Sequence, residues 1–230
     1  EIAFRTRPIQ VNNSNVIGNY GASSKKVFPK VMDGDNFKVQ ETLMNSFDEG
    51  NLIVHFVGHG GKSIWRVGPP DLDKNRDLFN LDHISKLNNS KTLPFVMSMS
   101  CYSAPFDHPF ADSIGEKFIR EPDVGAIAVL ASSWRNTPND KFSRFIMESL
   151  FKNPDYSIGQ AILDGKRHFK GRSMIEMYNL LGDPAVHLAL PTLKMSNDFI
   201  DNKVHADIEH KSFNGKAKIE LMDIDNNLLD

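Results

Sequence analysis

The chain of 230 residues is short of cysteine, of net charge and of long apolar runs, and each shortage excludes a class of protein. Its single cysteine, Cys101, excludes an internal disulfide framework and leaves a lone thiol, which is either a small buried side chain or a nucleophile. With 27 Lys plus Arg against 29 Asp plus Glu, the formal net charge is −2, so no overall field favours nucleic acid as a partner. No apolar run approaches the roughly 20 residues that cross a bilayer, so we predict no transmembrane segment.

Two apolar stretches of strand length each end at a reactive side chain. The first runs from Asn51 to Gly61 and contains His59, and the second runs from Leu93 to Tyr102 and contains Cys101. If these runs are neighbouring parallel strands, their carboxyl ends lie side by side at the edge where open α/β sheets place their chemistry. We therefore expect the thiol and the imidazole to meet there.

Alternating strand and helix patterns predict an α/β sandwich with a mainly parallel sheet. Continuous apolar runs predict buried strands at 52–57, 94–99 and 125–131. Helical spacing predicts helices over 40–49, 81–87, 110–118, 142–150 and 158–162, whereas 62–76 is expected to be a loop and 26–31 a short strand.

The pattern changes after Pro191. Alternating apolar residues at 204–208 and 217–221 flank Asn214 and Gly215, which favours an antiparallel hairpin. We predict a catalytic domain over 1–191 and a partial β domain over 192–230. Since the chain begins with Glu1 and not Met, we expect it to be a piece of a longer polypeptide, with an upstream segment of the same precursor as a partner.

The residues around His59 and Cys101 fit covalent acyl transfer. A thiolate needs a group that holds it ionised, which His59 can do, and amide donors for the oxyanion. The main-chain amides of Gly60 and Cys101 are the candidate donors, and Gly61 leaves room for a substrate backbone. The alternatives are a buried core cysteine and a hydrogen-bonded turn histidine.

Other site types fit the sequence less well. His55 and His59 have the i, i+4 spacing of a zinc helix, but they lie in a strand-like run without the intervening glutamate. A phosphate-binding loop that ends at Gly61 would need a glycine where Phe56 stands. His108 is a rival base, although a loop-stabilising hydrogen bond is the simpler role.

At this point the sequence resembles the gingipain family of cysteine peptidases, which has the caspase-like fold. The segment from Phe56 to Gly61 is similar to the family's histidine segment, and Cys101 with the helix start at 112–116 resembles its cysteine segment. Residues 181–185, Leu-Gly-Asp-Pro-Ala, look like its end-of-domain motif. The resemblance implies a dyad of His59 and Cys101, Trp134 beside the primary specificity pocket, and an immunoglobulin-like domain after residue 191.

The same resemblance implies a secreted or cell-surface bacterial endopeptidase that acts on polypeptides through a thioester. Alternatives are a sortase-type transpeptidase, as in the members that serve type IX secretion, and a catalytically silent binding module. The family's further layer before the histidine segment is not found in residues 1–24, so neither the acid that orients His59 nor the residue that selects the substrate is assigned. No cofactor is expected, and calcium stays an unassigned candidate because no Asp-rich loop has a suitable ligand spacing.

Overall fold

The structure is a computed structural model that describes residues 22, 24–25, 27, 36–68, 76–136, 140–169, 171–190, 194–200 and 203–209. The chain divides into two compact units, Glu1–Thr192 and Leu193–Asp230. In chain order, the elements of the first unit are α1 (Asn36–Asp48), β1 (Ile53–Val57), β2 (His59–Gly61), β3 (Ile64–Arg66), β4 (Asp77–Asn80), α2 (Leu81–Ile84), β5 (Phe95–Met99), α3 (Ile114–Arg120), β6 (Ala128–Ser132), α4 (Asp140–Lys152), α5 (Ile158–His168), α6 (Arg172–Met177) and β7 (Tyr178–Gly182).

A four-stranded sheet in the order β1, β5, β6, β7 forms the centre of this unit. The pairs β1 with β5 and β5 with β6 are parallel, and β6 with β7 is antiparallel. The three predicted core strands are therefore present, and the prediction of a mainly parallel sheet is confirmed. β7 was not predicted, since its polar Asn179 interrupts an apolar pattern too short to distinguish strand from helix.

Side chains of the central strands alternate between two apolar layers, as a pleated sheet requires. Phe95, Met97 and Met99 face a cluster that includes Phe142, Ile146 and Ile158 of α4 and α5. Val96 and Val129 face the opposite cluster, which contains side chains of α1 and α3. Helices on both faces explain why the central strands are apolar throughout.

A second, three-stranded antiparallel sheet of β2, β3 and β4 belongs to the layer that contains α1 and α3. Trp65 of β3 is its anchor, because its ring stacks on Phe56 of β1 at 4.5 Å and lies 5.6 Å from both Phe79 and Phe118. The prediction of a loop over 62–76 is thus wrong at 64–66. Strands of three residues give too short an alternation to be seen in a sequence.

Helix boundaries differ from the predicted ones where capping overrides spacing. The helix expected over 110–118 begins at Ile114, because Ser113 accepts a hydrogen bond from the amide of Glu116 and ends the preceding loop. Phe110 lies outside the helix and is 92% exposed. α1 begins at Asn36, earlier than expected, and Gly50, with φ +85°, follows its end as predicted.

In the second unit, β8 (Lys194–Ile200) and β9 (Lys203–Glu209) form an antiparallel pair. β9 covers the predicted strand 204–208, whereas the predicted 217–221 strand, the turn at 214–215 and most of the expected 26–31 strand lie outside the described residues. The immunoglobulin-like sandwich stays a prediction. Within the described residues, no helix has the length and apolar character of a membrane span.

Candidate active site

His59 and Cys101 lie at the same edge of the central sheet. In the parallel pairing of β1 with β5, Val57 is the register partner of Met99. His59 comes two residues after Val57, and Cys101 comes two residues after Met99. The two side chains therefore follow equivalent positions of neighbouring strands, as the sequence predicted.

Gly60 brings the histidine segment into close contact with the cysteine segment. A Cβ atom built on Gly60 would lie 2.7 Å from the main-chain oxygen of Cys101 and 2.6 Å from Oγ of Ser100. No side chain fits at these distances. The glycine is therefore needed for the close approach of the two backbones.

A buried network of hydroxyl groups also joins the two segments. Nε1 of Trp65, whose register partner across the small sheet is Gly60, donates to Oγ of Ser98 at 3.0 Å. Ser98 Oγ in turn lies 2.8 Å from Ser100 Oγ and donates to Ser103 Oγ at 3.1 Å. All three serines are buried, so the strand that leads to Cys101 is linked by satisfied polar groups to the sheet that carries His59.

Tyr102, directly after Cys101, has a left-handed backbone with φ +49°. Its amide donates to the main-chain oxygen of Trp134 at 3.0 Å, and its ring meets the Trp134 ring edge to face at 5.6 Å. Non-glycine residues with positive φ are uncommon and cluster at functional sites. The loop after β5 is thereby joined to the loop after β6, and Trp134, 54% exposed, lies at the same edge as Cys101.

The Cys101 thiol has a hydrogen-bond partner in this second loop. Its Sγ donates to the main-chain oxygen of Asn136 at 2.6 Å. The Asn136 side chain accepts from the hydroxyl of Tyr178 at 3.5 Å. Tyr178 begins β7 and pairs with Ser132 at the end of β6, which brings it to this edge of the sheet. Burial raises the pKa of Tyr178, so its hydroxyl stays protonated and able to donate.

His59 is half-buried at the start of β2, where it pairs with Arg66. Burial lowers the pKa of His59, and the positive charge of Arg76 lowers it further. The imidazole is therefore neutral near pH 7. A neutral imidazole can accept a proton from the thiol.

The other residues considered from the sequence have simpler surroundings. A Cβ on Gly61 would meet only Cγ2 of Ile64, at 3.5 Å. His108 is exposed and accepts from the amide of Phe110 at 3.3 Å, which is the loop hydrogen bond expected for it. Asp183 accepts from the amide of Ala185 at 2.8 Å and stabilises the turn after Gly182.

No group of three or more His, Cys, Asp or Glu side chains in the described part of the chain is arranged to hold a metal ion. The ring nitrogens of His55 are buried and have no hydrogen-bond partner in that same part.

Sequence reasoning missed Asn136, Tyr178 and the serine network. Two buried serines two residues apart, Ser98 in β5 and Ser100 just after it, are the one signal that could have revealed the network, since a buried hydroxyl needs a partner. Asn136 and Tyr178 carry no comparable signal. Their positions depend on the antiparallel register of β7 on β6 and on the course of the loop after β6.

Comparison with known proteins identifies similar chains. The model of peptidase family C25 matches residues 6–189. Gingipain R2 of Porphyromonas gingivalis (strain ATCC 33277) is 24% identical over 169 residues, which are 66% of this chain and 22% of that protein. Gingipain R1 of Porphyromonas gingivalis is also 24% identical over 169 residues, which are 66% of this chain and 16% of that protein. This chain thus spans less than a quarter of the length of these relatives.

Solved structures show the same likeness. The crystal structure of the Arg-specific cysteine proteinase gingipain R has a TM-score of 0.61 and 20% identity, and the match covers 83% of this chain and 45% of that one. The complex of Porphyromonas gingivalis RgpB pro- and mature domains has a TM-score of 0.62 and 18% identity, with 84% of this chain and 46% of that one covered. The likeness confirms the predicted caspase-like α/β fold.

Proposed function

Because the chain belongs to peptidase family C25, we propose that it is catalytic-domain sequence of a cysteine endopeptidase whose nucleophile is Cys101 and whose base is His59. The observation that supports this most directly is the equivalence of the two residues beyond the register pair Val57 and Met99. The close approach of Gly60 to the Cys101 backbone supports it independently.

In the proposed reaction, the thiol proton of Cys101 moves to His59 and Sγ attacks the carbonyl carbon of the scissile peptide bond. The oxyanion that forms accepts hydrogen bonds from the main-chain amides of Gly60 and Cys101. His59 then gives its proton to the leaving amine, the C–N bond breaks, and a thioester remains. A water molecule hydrolyses the thioester and restores the thiol.

The residues that select the substrate are proposed from their positions in the structure. Trp134, exposed at the edge next to Cys101, would line the primary pocket, and Gly61 would leave room for the substrate backbone. Since one structural neighbour is an Arg-specific proteinase, peptides with arginine before the scissile bond are the first substrates to test. The other neighbour is a complex of pro- and mature domains, which agrees with the proposal of an exported precursor with an upstream segment.

A profile of cleavage across a peptide library, with mass spectrometry of the products, tests this function. We expect cleavage by the wild-type protein and a loss on the order of a thousandfold or more for Cys101→Ala and for His59→Ala. His168→Gln, which removes an exposed histidine of α5, should cleave like the wild type. An added amine that captures the acyl group would reveal transfer in place of hydrolysis.

The proposal fails if cleavage persists in Cys101→Ala, or if the wild-type protein binds peptides without cleaving them. The second result would favour the silent binding module.

A further inference from the structure

The loop after β6 supplies three polar groups that the proposed dyad does not use. All three belong to Asn136, whose main chain contacts Cys101. Its main-chain oxygen accepts the Cys101 thiol at 2.6 Å, and its side-chain oxygen accepts the Tyr178 hydroxyl at 3.5 Å. The third polar group, the amide nitrogen Nδ2, is buried and has no hydrogen-bond partner within the described residues.

A buried amide donor without an acceptor is unusual and costs free energy, so it calls for an explanation. Burial also means that bulk water does not satisfy it. The nitrogen belongs to the same residue whose main-chain oxygen accepts the hydrogen bond from Sγ. Tyr178, buried and held in β7, fixes the side chain through the oxygen and leaves the nitrogen free to donate.

The reaction itself creates an acceptor at this point. A carbonyl oxygen stabilises a thiol, which donates to it, but repels a thiolate, since both atoms then carry negative charge. When the S–H bond breaks and the proton forms an N–H bond on His59, Sγ must turn away from the Asn136 oxygen. A donor close by would then stabilise the sulfur anion.

We propose that Asn136 is a third residue of the catalytic centre, whose main-chain oxygen holds the Cys101 thiol at rest and whose Nδ2 donates to the sulfur once the thiolate forms. This inference rests on the proposed function, because it requires Cys101 to ionise. Tyr178 acts through Asn136 as a positioning residue.

The rate at which iodoacetamide alkylates Cys101 near pH 7 tests this role, because only the thiolate reacts well and the chain has a single cysteine. We compare the wild type, Asn136→Ala and Asn136→Asp, with glutathione as a free-thiol reference. Asn136→Ala removes the donor and should slow alkylation about tenfold, the worth of one hydrogen bond to a charged group. Asn136→Asp should be slower still, because a carboxylate repels the thiolate.

A comparison of Asn136→Ala with Tyr178→Phe separates donation from a structural role. If Asn136 serves only as the acceptor for Tyr178, then Tyr178→Phe, which removes the hydroxyl and keeps the amide, slows alkylation as much as Asn136→Ala, and the proposal is overturned. Donation predicts a smaller loss for Tyr178→Phe. Asn45→Asp, an exposed position on α1, adds the same charge elsewhere and should react like the wild type.

Two further outcomes keep the inference distinct from the proposed function. A wild-type protein that reacts no faster than glutathione overturns the activated dyad and this proposal with it, whereas a fast wild type matched by Asn136→Asp overturns this proposal alone. Thermal unfolding accompanies each rate. If Asn136→Ala does not fold, Asn136→Leu, which is neutral, similar in shape and without the donor, takes its place, and donation again predicts a loss of about tenfold.

Discussion

Gly60 and Cys101 are in such close contact that residue 60 can carry no side chain: its Cβ would lie 2.7 Å from the Cys101 carbonyl oxygen. Because that oxygen belongs to the backbone, it cannot yield without moving Cys101, the proposed nucleophile. We expect Gly60→Ala to lower kcat/KM roughly a hundredfold or more, the effect of misplacing a catalytic group or losing an oxyanion donor. Peptide cleavage measures this loss, and thermal unfolding measures whether the fold is also destabilised.

Gly61→Ala is the matched control, because the new methyl group would meet Ile64 at an ordinary 3.5 Å. Its melting temperature should equal that of the wild type, and any loss should be confined to KM if the substrate backbone passes there. Equal activity of Gly60→Ala and the wild type would show that the contact has no bearing on catalysis.

Ser98 is the shared partner of Trp65, Ser100 and Ser103. Ser98→Ala leaves the buried indole N–H without an acceptor, so we expect the free energy of unfolding to fall by about 1–3 kcal/mol. Urea denaturation gives this value. Ser46→Ala removes only a hydrogen bond to the preceding helical turn and should change stability by less than about 0.5 kcal/mol. A Ser98→Ala protein as stable as the wild type would count against the network.

Because His55 is buried, we expect the protein to lose stability in acid. Burial lowers its pKa from 6.5 to about 4, so the unfolded chain takes up the proton first as the pH falls. The free energy of unfolding therefore has its full value above pH 6.5 as far as His55 is concerned, falls as the pH decreases to about 4, and changes no further below that. The total decrease is roughly 3 kcal/mol.

Urea denaturation between pH 4 and 7 should therefore show a shallower decrease for His55→Phe than for the wild type. His168→Gln, at an exposed position, should keep the wild-type decrease. Identical curves for His55→Phe and the wild type would mean that the ring is not kept neutral by burial.

Arg76 is expected to influence the protonation of His59. Burial is the largest cause that lowers the pKa of His59, and the charge of Arg76 is a smaller one. Arg76→Gln should therefore raise that pKa slightly, while burial keeps it below 6.5. NMR titration of the His59 ring protons measures the shift. Arg66→Gln is the control, because Arg66 pairs with Asp77 at 2.9 Å. A titration that Arg76→Gln leaves unchanged would contradict the interaction.

The sequence was sufficient to predict that His59 and Cys101 follow neighbouring parallel strands. Runs such as 94–99 are apolar on both faces, which only a covered parallel sheet explains, and parallel strands bring their carboxyl ends to one edge. The placement of His59 and Cys101 at one edge of the sheet follows from that alone. Their exact equivalence depends on the pairing of Val57 with Met99, and no sequence pattern specifies that register.

The surroundings of Cys101 could not be predicted from the sequence, because they depend on contacts between residues distant along the chain. The sequence places Trp65 in a loop, because the three-residue strands around it become visible only through their pairing in the sheet. Phe110 continues a helical spacing, but the Ser113 cap starts the helix after it. Asn136 lies in a loop whose path depends on contacts with Cys101 and Tyr178, which are distant in sequence.

The contacts of Tyr102 with Trp134 and of Cys101 with Asn136 have a consequence for attempts to change substrate preference. Redesign of a pocket normally treats the selecting side chain and the reacting one as separate parts. Here Trp134, proposed to select the substrate, and Cys101, proposed to react, lie on a pair of hydrogen-bonded loops. Exchanging residues 133–136 for those of another peptidase would therefore also displace the main-chain oxygen of Asn136 that accepts from Sγ. Altered preference is therefore best sought through the Trp134 side chain alone, with the backbone of that loop left intact.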